Sequence, residues 1–235
     1  MTGDLHALVT MITTWVLPVL LAVTLHEAGH AYAAWRLGDD TAYQQGRVTL
    51  NPLRHVDPFG TVLLPALLLL TGASFLIGWA KPVPVRVSRL RNPRRDDMIV
   101  SAAGPGANLL LAFLAALLLH LSTALPGDAG RWLTANLQNA LFLNVLLMVF
   151  NLLPIPPLDG GHILMNLLPR RWSEAFAKLG AYGLMLPLLL LFGLSLISRA
   201  TQGAIDPFGF LIYGPVEFII RVLSLLTFHG DPLSV

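Results

Sequence analysis

His26, Glu27 and His30 stand in the order His-Glu-Ala-Gly-His inside an otherwise apolar run. On a helix, residues four apart share one face, one turn apart, so both imidazoles project together and can grip one metal ion. The spacing suits zinc, with the intervening glutamate placed to take a proton from a water that the metal activates. Ionisable groups in a hydrophobic helix are costly and mark function. The structural alternative is two packed histidines hydrogen-bonded to neighbouring helices, with Glu27 paired to one of them. Three clustered polar groups with no inexpensive apolar role favour the metal.

Catalytic zinc takes three protein ligands and leaves one position to water. The chain has no cysteine, so the third ligand must be His, Asp or Glu. Asp159 is the candidate, at the end of Asn151-Leu-Leu-Pro-Ile-Pro-Pro-Leu-Asp159-Gly-Gly. Pro154, Pro156 and Pro157 break a helix there, and Gly160 and Gly161 free the chain to turn. Broken backbone at membrane depth is tolerated only where protein or a water-filled cavity surrounds it. The alternative for Asp159 is a loop aspartate that caps the next helix.

The elements that must carry these residues are apolar. Of 235 residues, 55% are hydrophobic and 12% charged, with mean hydropathy +0.68; soluble domains carry about 25% charged residues. That excludes an ordinary water-soluble domain and, with a net charge of only +2, a nucleic-acid binder. Disulfides, thiolate zinc sites and cysteine nucleophiles are excluded with the missing cysteine. A span needs about 20 apolar residues. Leu8–Trp35, Met98–Leu121, Asn139–Leu158 and Leu179–Ile197 have that length, and Phe210–Phe228 does so despite Glu217 and Arg221, which are spaced to pair across one turn. Thr61–Ala80 is interrupted by Pro65, Gly72 and Gly78. The first segment has no Lys or Arg before Arg36, so it is expected to be a span and not a cleaved signal peptide.

Residues 36–60, 81–97 and 159–178 hold 12 of the 15 basic residues. Basic loops stay cytoplasmic, which puts all three inside only if Thr61–Ala80 enters and leaves on one side. The N-terminus then faces outward. Depth gives the same answer. His26 lies about 27 Å along its helix from Leu8 at 1.5 Å per residue, near the inner face, and Asp159 closes a span arriving there. With a full crossing by 61–80, the ligands would sit at opposite faces.

HEAGH and NLLPIPPLDGG on hydrophobic segments, with GRVTLNPLRHVDPFG and Gly104-Pro-Gly-Ala-Asn108 between them, resemble the site-2 protease family of intramembrane zinc metallopeptidases, peptidase family M50. The resemblance covers about residues 20–170. It implies one zinc per chain on His26, His30 and Asp159, with Glu27 as general base. It implies that Asn108 contacts the substrate or the developing oxyanion, and it carries over Asn151 at the head of the aspartate motif. It further implies an endopeptidase acting on membrane-embedded protein or peptide substrates in regulated intramembrane proteolysis, in a bacterial-type plasma membrane, with the site near the cytoplasmic face. Many members carry a PDZ or CBS domain. Residues 122–138 and the tail are too short for either, so a compact form is expected, with substrate access gated in another way, for instance by a separate regulatory protein.

The expected fold is an all-α polytopic membrane protein of five to six transmembrane helices, with a re-entrant or extended segment before the GPGAN helix. One domain, 1–235, holds a catalytic core at about 8–170 and further helices at about 179–228. Trp79–Val87 reads as an extended edge for gripping a substrate strand, or as a polyproline-like connector. His55 has no role that spacing assigns; His162 reads as a neighbour of the metal ligands or an interfacial residue; His6, His120 and His229 fall near span ends. A transporter would call for internal repeats, and none is present. A rhomboid-type serine protease would call for Gly-x-Ser-Gly, which Gly72-Ala-Ser74-Phe75 lacks. An aspartyl type needs a second intramembrane aspartate. An idle scaffold would not need Glu27.

Overall fold

The computed structural model describes residues 2–63, 67, 78–122, 124–183 and 185–227, which form helices and connections with no strand among them. Helix α1 spans Thr2–Arg36 and α2 spans Pro93–Ser122. Helices α3 (Gly127–Asn151), α4 (Asp159–Leu167) and α5 (Arg170–Ala177) follow. The last two are α6 (Met185–Ala200) and α7 (Gly214–Leu226). Four helices among the described residues are long and apolar enough to cross a membrane, or five if the bent pair Arg170–Tyr182 and Met185–Ala200 counts as one span. The all-α polytopic reading is met.

Helices α1, α2 and α3 pack on one another, α4 packs against α2, and α7 against α3. Small residues let the backbones approach: Ala112, Ala115 and Ala116 of α2 are buried with Val145 of α3 and Val216 of α7 in the main core. Polar bonds join the same helices. Asn139 donates to the Thr14 carbonyl at 3.0 Å, and the Trp132 indole to the Thr13 hydroxyl at 3.1 Å. Helix α1 stops at Gly38, whose φ of +113° suits a residue without Cβ.

Two expected spans differ. The third is not Asn139–Leu158. It begins at Gly127 and ends at Asn151, because Asn136, Asn139 and Asn144 bond within or between helices, while the prolines from 154 onward stop the helix. Nor is Leu179–Ile197 one straight helix. The chain bends by 83° between Tyr182 and Met185, beside Gly183 at φ +52°. Glu217 and Arg221 both point outward and form no ion pair with each other.

Most of Thr61–Ala80 lies outside the described residues, but its two ends are described and they meet. The Trp79 N–H donates to the Gly60 carbonyl at 3.2 Å, and the Thr61 hydroxyl to the Trp79 carbonyl at 2.7 Å. The chain therefore comes back to the point it left. Trp79–Val87 is extended connection and single-turn helix, not a strand.

Candidate metal centre

Helix α1 brings His26 and His30 together edge to face, with ring centroids 4.6 Å apart. Their Nε2 atoms are 3.0 Å apart. Asp159 faces both, its Oδ2 3.4 Å from His26 Nε2 and its Oδ1 3.4 Å from His30 Nε2. Asp159 opens α4, but no side chain caps that helix, so its carboxylate does not serve as a cap. It is instead turned to the histidines by the broken run 152–158. Gly160 and Gly161 lie against the backbone of Leu152, Leu153 and Ile155, where side chains would push α4 away.

The far side of each ring fixes its proton. His30 Nδ1 lies 2.7 Å from the Val100 carbonyl, which can only accept. His26 Nδ1 lies 2.6 Å from Asn108 Oδ1. The amide nitrogen of Asn108 donates to the Ala22 carbonyl at 3.2 Å and to Asn144 Oδ1 at 2.8 Å, so its oxygen must face His26. As neutral imidazoles, both therefore carry their proton on Nδ1 and turn Nε2 lone pairs to each other and to a carboxylate. In that form three acceptors lie within 4.8 Å of one another, and a cation between them removes their repulsion. Asp159 Oδ2 is also buried without a hydrogen-bond partner. Two imidazole nitrogens and one carboxylate oxygen are a donor set that zinc accepts.

The room for both rings comes from α2. A Cβ on Gly104 would overlap His30 Nε2 and lie 2.7 Å from His26 Cε1. Gly29 allows the two helices to approach, since a Cβ there would stand 2.8 Å from the Ala103 carbonyl oxygen. Glu27 is half-buried, and its Oε2 accepts the Val83 N–H at 3.0 Å.

Of the sequence-expected residues, His26, His30 and Asp159 converge, and Glu27 lies alongside. Asn108 is at the centre but differently employed. It is fully buried and both its donors are spent, so it orients His26 and has no N–H left for an oxyanion. Asn151 does not join the cluster; its amide donates to the Leu147 carbonyl in its own helix at 2.9 Å. His162 turns to Asp97, with Nδ1 3.7 Å from Oδ2, and that carboxylate raises its pKa against the opposing effect of burial. His55 is buried and holds its loop through the Thr49 carbonyl at 2.9 Å. Asn144 and Val100 are not singled out by spacing, and Gly104 stands in the sequence reading only as the first residue of the GPGAN motif, without a role. Asn144 does leave a signal, as a polar residue in an apolar helix.

The description "Peptidase family M50" fits residues 120–194, a stretch that includes Asp159 and not the His26–His30 pair. Among known proteins, "Putative zinc metalloprotease YwhC" of Bacillus subtilis (strain 168) is 40% identical over 179 residues, 74% of this chain and 78% of that one. "Putative zinc metalloprotease Rip2" of Mycolicibacterium smegmatis is 38% identical over 73% of this chain and 64% of its own. The Rip2 of Mycobacterium tuberculosis strain H37Rv is 37% identical, with 63% of its length covered. No solved structure matches. With 40% identity running through most of both chains, ancestry is settled: the chain belongs to peptidase family M50, the site-2 protease family of zinc metalloproteases.

Proposed function

We propose that the chain is a zinc-dependent intramembrane endopeptidase, hydrolysing peptide bonds of membrane-embedded protein substrates in the manner of regulated intramembrane proteolysis. One zinc per chain would be held by His26, His30 and Asp159. The observation that carries this reading is that three metal-binding side chains meet beside a glutamate, among helices apolar enough to span a bilayer. Bound there, zinc supplies a Lewis acid that makes water acidic near pH 7 and polarises a carbonyl. The rest is the work of this chain. Glu27 takes the proton of the attacking water and delivers it to the leaving amine. His26 and His30 donate from Nδ1 to Asn108 and Val100, which leaves Nε2 as the atom turned to the metal position. The surrounding helices keep bulk water out.

The substrates would be single-span proteins or peptides whose helix unwinds to expose the bond. The N-terminus would lie outside a bacterial-type plasma membrane and the site near its cytoplasmic face, a reading supported by the loop charges and by the joined ends of 61–80. A separate regulatory partner would gate access.

The test compares purified wild type, Glu27→Gln and Asp159→Ala in detergent against a panel of single-span substrates. The Gln variant should keep its zinc and lose about 10²–10⁴ in rate, and the Ala variant should lose zinc. Chelator-sensitive cleavage by wild type alone supports the reading. Equal cleavage by wild type and the Gln variant removes Glu27 from the chemistry, and silence of the wild type across the panel removes the proteolytic reading.

A further inference from the structure

The main chain from Lys81 to Arg86 runs beside the candidate centre and is gripped at both ends by buried charges. At one end stands Arg47, only 4% exposed. Its Nη2 donates to the carbonyls of Lys81 at 2.5 Å and Pro82 at 3.4 Å, while its Nε is buried without a partner. At the other end Asp39, fully buried, accepts the Arg86 N–H at 2.6 Å. Asp39 is itself anchored by the N–H and hydroxyl of Thr41. The Lys81 N–H goes to the His55 carbonyl at 2.9 Å. Between the grips, Pro82 and Pro84 have no N–H, so Val83 carries the only main-chain donor of the triplet. That donor goes to Glu27 Oε2.

Burying a guanidinium against carbonyls, with one nitrogen unpaired, is an expensive way to hold a loop. A bare connector would not need it. The outcome of the arrangement is a single N–H, in a stretch stiffened by two prolines, aimed at one oxygen of one glutamate.

We infer that Arg47 and Asp39 are positioning residues for Glu27. They clamp Lys81–Arg86 so that the Val83 N–H fixes one carboxylate oxygen and leaves the other directed to the water it must deprotonate. The inference rests on the proteolytic reading above and concerns the aim of the base, not the metal. A glutamate side chain rotates about three bonds, and a misplacement of about 1 Å can cost about 10²-fold in rate. The flanking clamp removes that freedom before substrate arrives.

The experiment uses the full-length, zinc-loaded chain with Arg47→Met, Arg47→Lys, Asp39→Asn and Val83→Pro. The Pro variant keeps both clamping charges and deletes only the donor, so it reads the N–H even where an Arg47 variant folds poorly. Because the chain has no cysteine, a nitroxide on Val85→Cys reports the segment directly. Arg47→Met, Asp39→Asn and Val83→Pro should each lower kcat by about 10- to 100-fold, with KM and zinc content little changed. Arg47→Lys should recover part of the loss, and the label should become mobile in Arg47→Met and Asp39→Asn. An unchanged kcat in the Pro variant would overturn the inference. So would a raised kcat, which would make the segment a cover over the site. An unchanged spectrum would sink the clamp alone, whereas a wild type that cleaves none of the single-span panel would sink the proteolytic reading, with the spectra still reporting on the clamp.

Discussion

His26 Nδ1 lies 2.6 Å from Asn108 Oδ1, and this contact decides which imidazole nitrogen faces Asp159. Asn108 can offer only its oxygen, because its nitrogen is bound to Ala22 on α1 and Asn144 on α3. One amide therefore sets the tautomer of a candidate ligand and ties three helices at the same depth.

Replacing Asn108 with Ala should leave His26 free to turn or to change tautomer. Partners that orient metal-binding histidines are typically worth 10–100-fold in affinity. Competition with a chromophoric chelator should show zinc held about that much more weakly. Unchanged affinity would mean that His26 is oriented by packing alone.

Gly104→Ala inserts a methyl group where both rings stand. Overpacking of this kind costs about 1–3 kcal/mol, and here the rings would have to move. The variant should melt earlier and lose zinc, whereas Gly106→Ala, whose Cβ meets nothing within 4 Å, should do neither. Full zinc content in Gly104→Ala would show that the rings have another place to go.

Residues 36–60 are proposed to be cytoplasmic. Thr41 is buried and Gly46 needs a positive φ, so Gln45, which is exposed, is the better place for a cysteine. An impermeant maleimide should fail to label Gln45→Cys in intact cells and label it after permeabilisation. Labelling from outside would reverse the topology.

Asp39 gives a pH dependence. Burial acts to raise its pKa, but bonds from the Thr41 hydroxyl and the N–H groups of Arg86 and Thr41, together with the Arg89 charge, outweigh it and hold the pKa below the ordinary value. A depressed carboxylate contributes stability above its unfolded pKa and loses it as pH falls through the folded one. The melting temperature in detergent should therefore drop as pH falls below the ordinary carboxylate range. Asp39→Asn should melt lower at pH 7 and show less of that drop. An equal pH slope in both proteins would assign the effect to other groups.

The histidines and Asp159 were legible in sequence because each is a polar exception on an apolar background, and because helix phase alone brings His26 beside His30. Their oriented protons were not. Asn108 turns its oxygen to His26 because Ala22 and Asn144 claim its nitrogen, and that depends on the register of three helices. The link from Val83 to Glu27 was equally hidden, since a main-chain N–H leaves no trace in residue type. Hydropathy misplaced the third span because Leu152, Leu153, Ile155 and Leu158 are as apolar as helix residues while the prolines among them forbid the helix. In the region 179–197 the leucines masked the bend at Gly183 in the same way.

His30 and Asp159 come from elements separated by more than a hundred residues of chain. Synthesis at about 5–20 residues per second leaves roughly ten seconds between the two. Throughout that interval the nascent protein holds the histidine pair without Asp159, the carboxylate proposed to complete it. On the proposed reading, a half-made chain would lack its third ligand, and competence would arrive only after α4 has docked against α2.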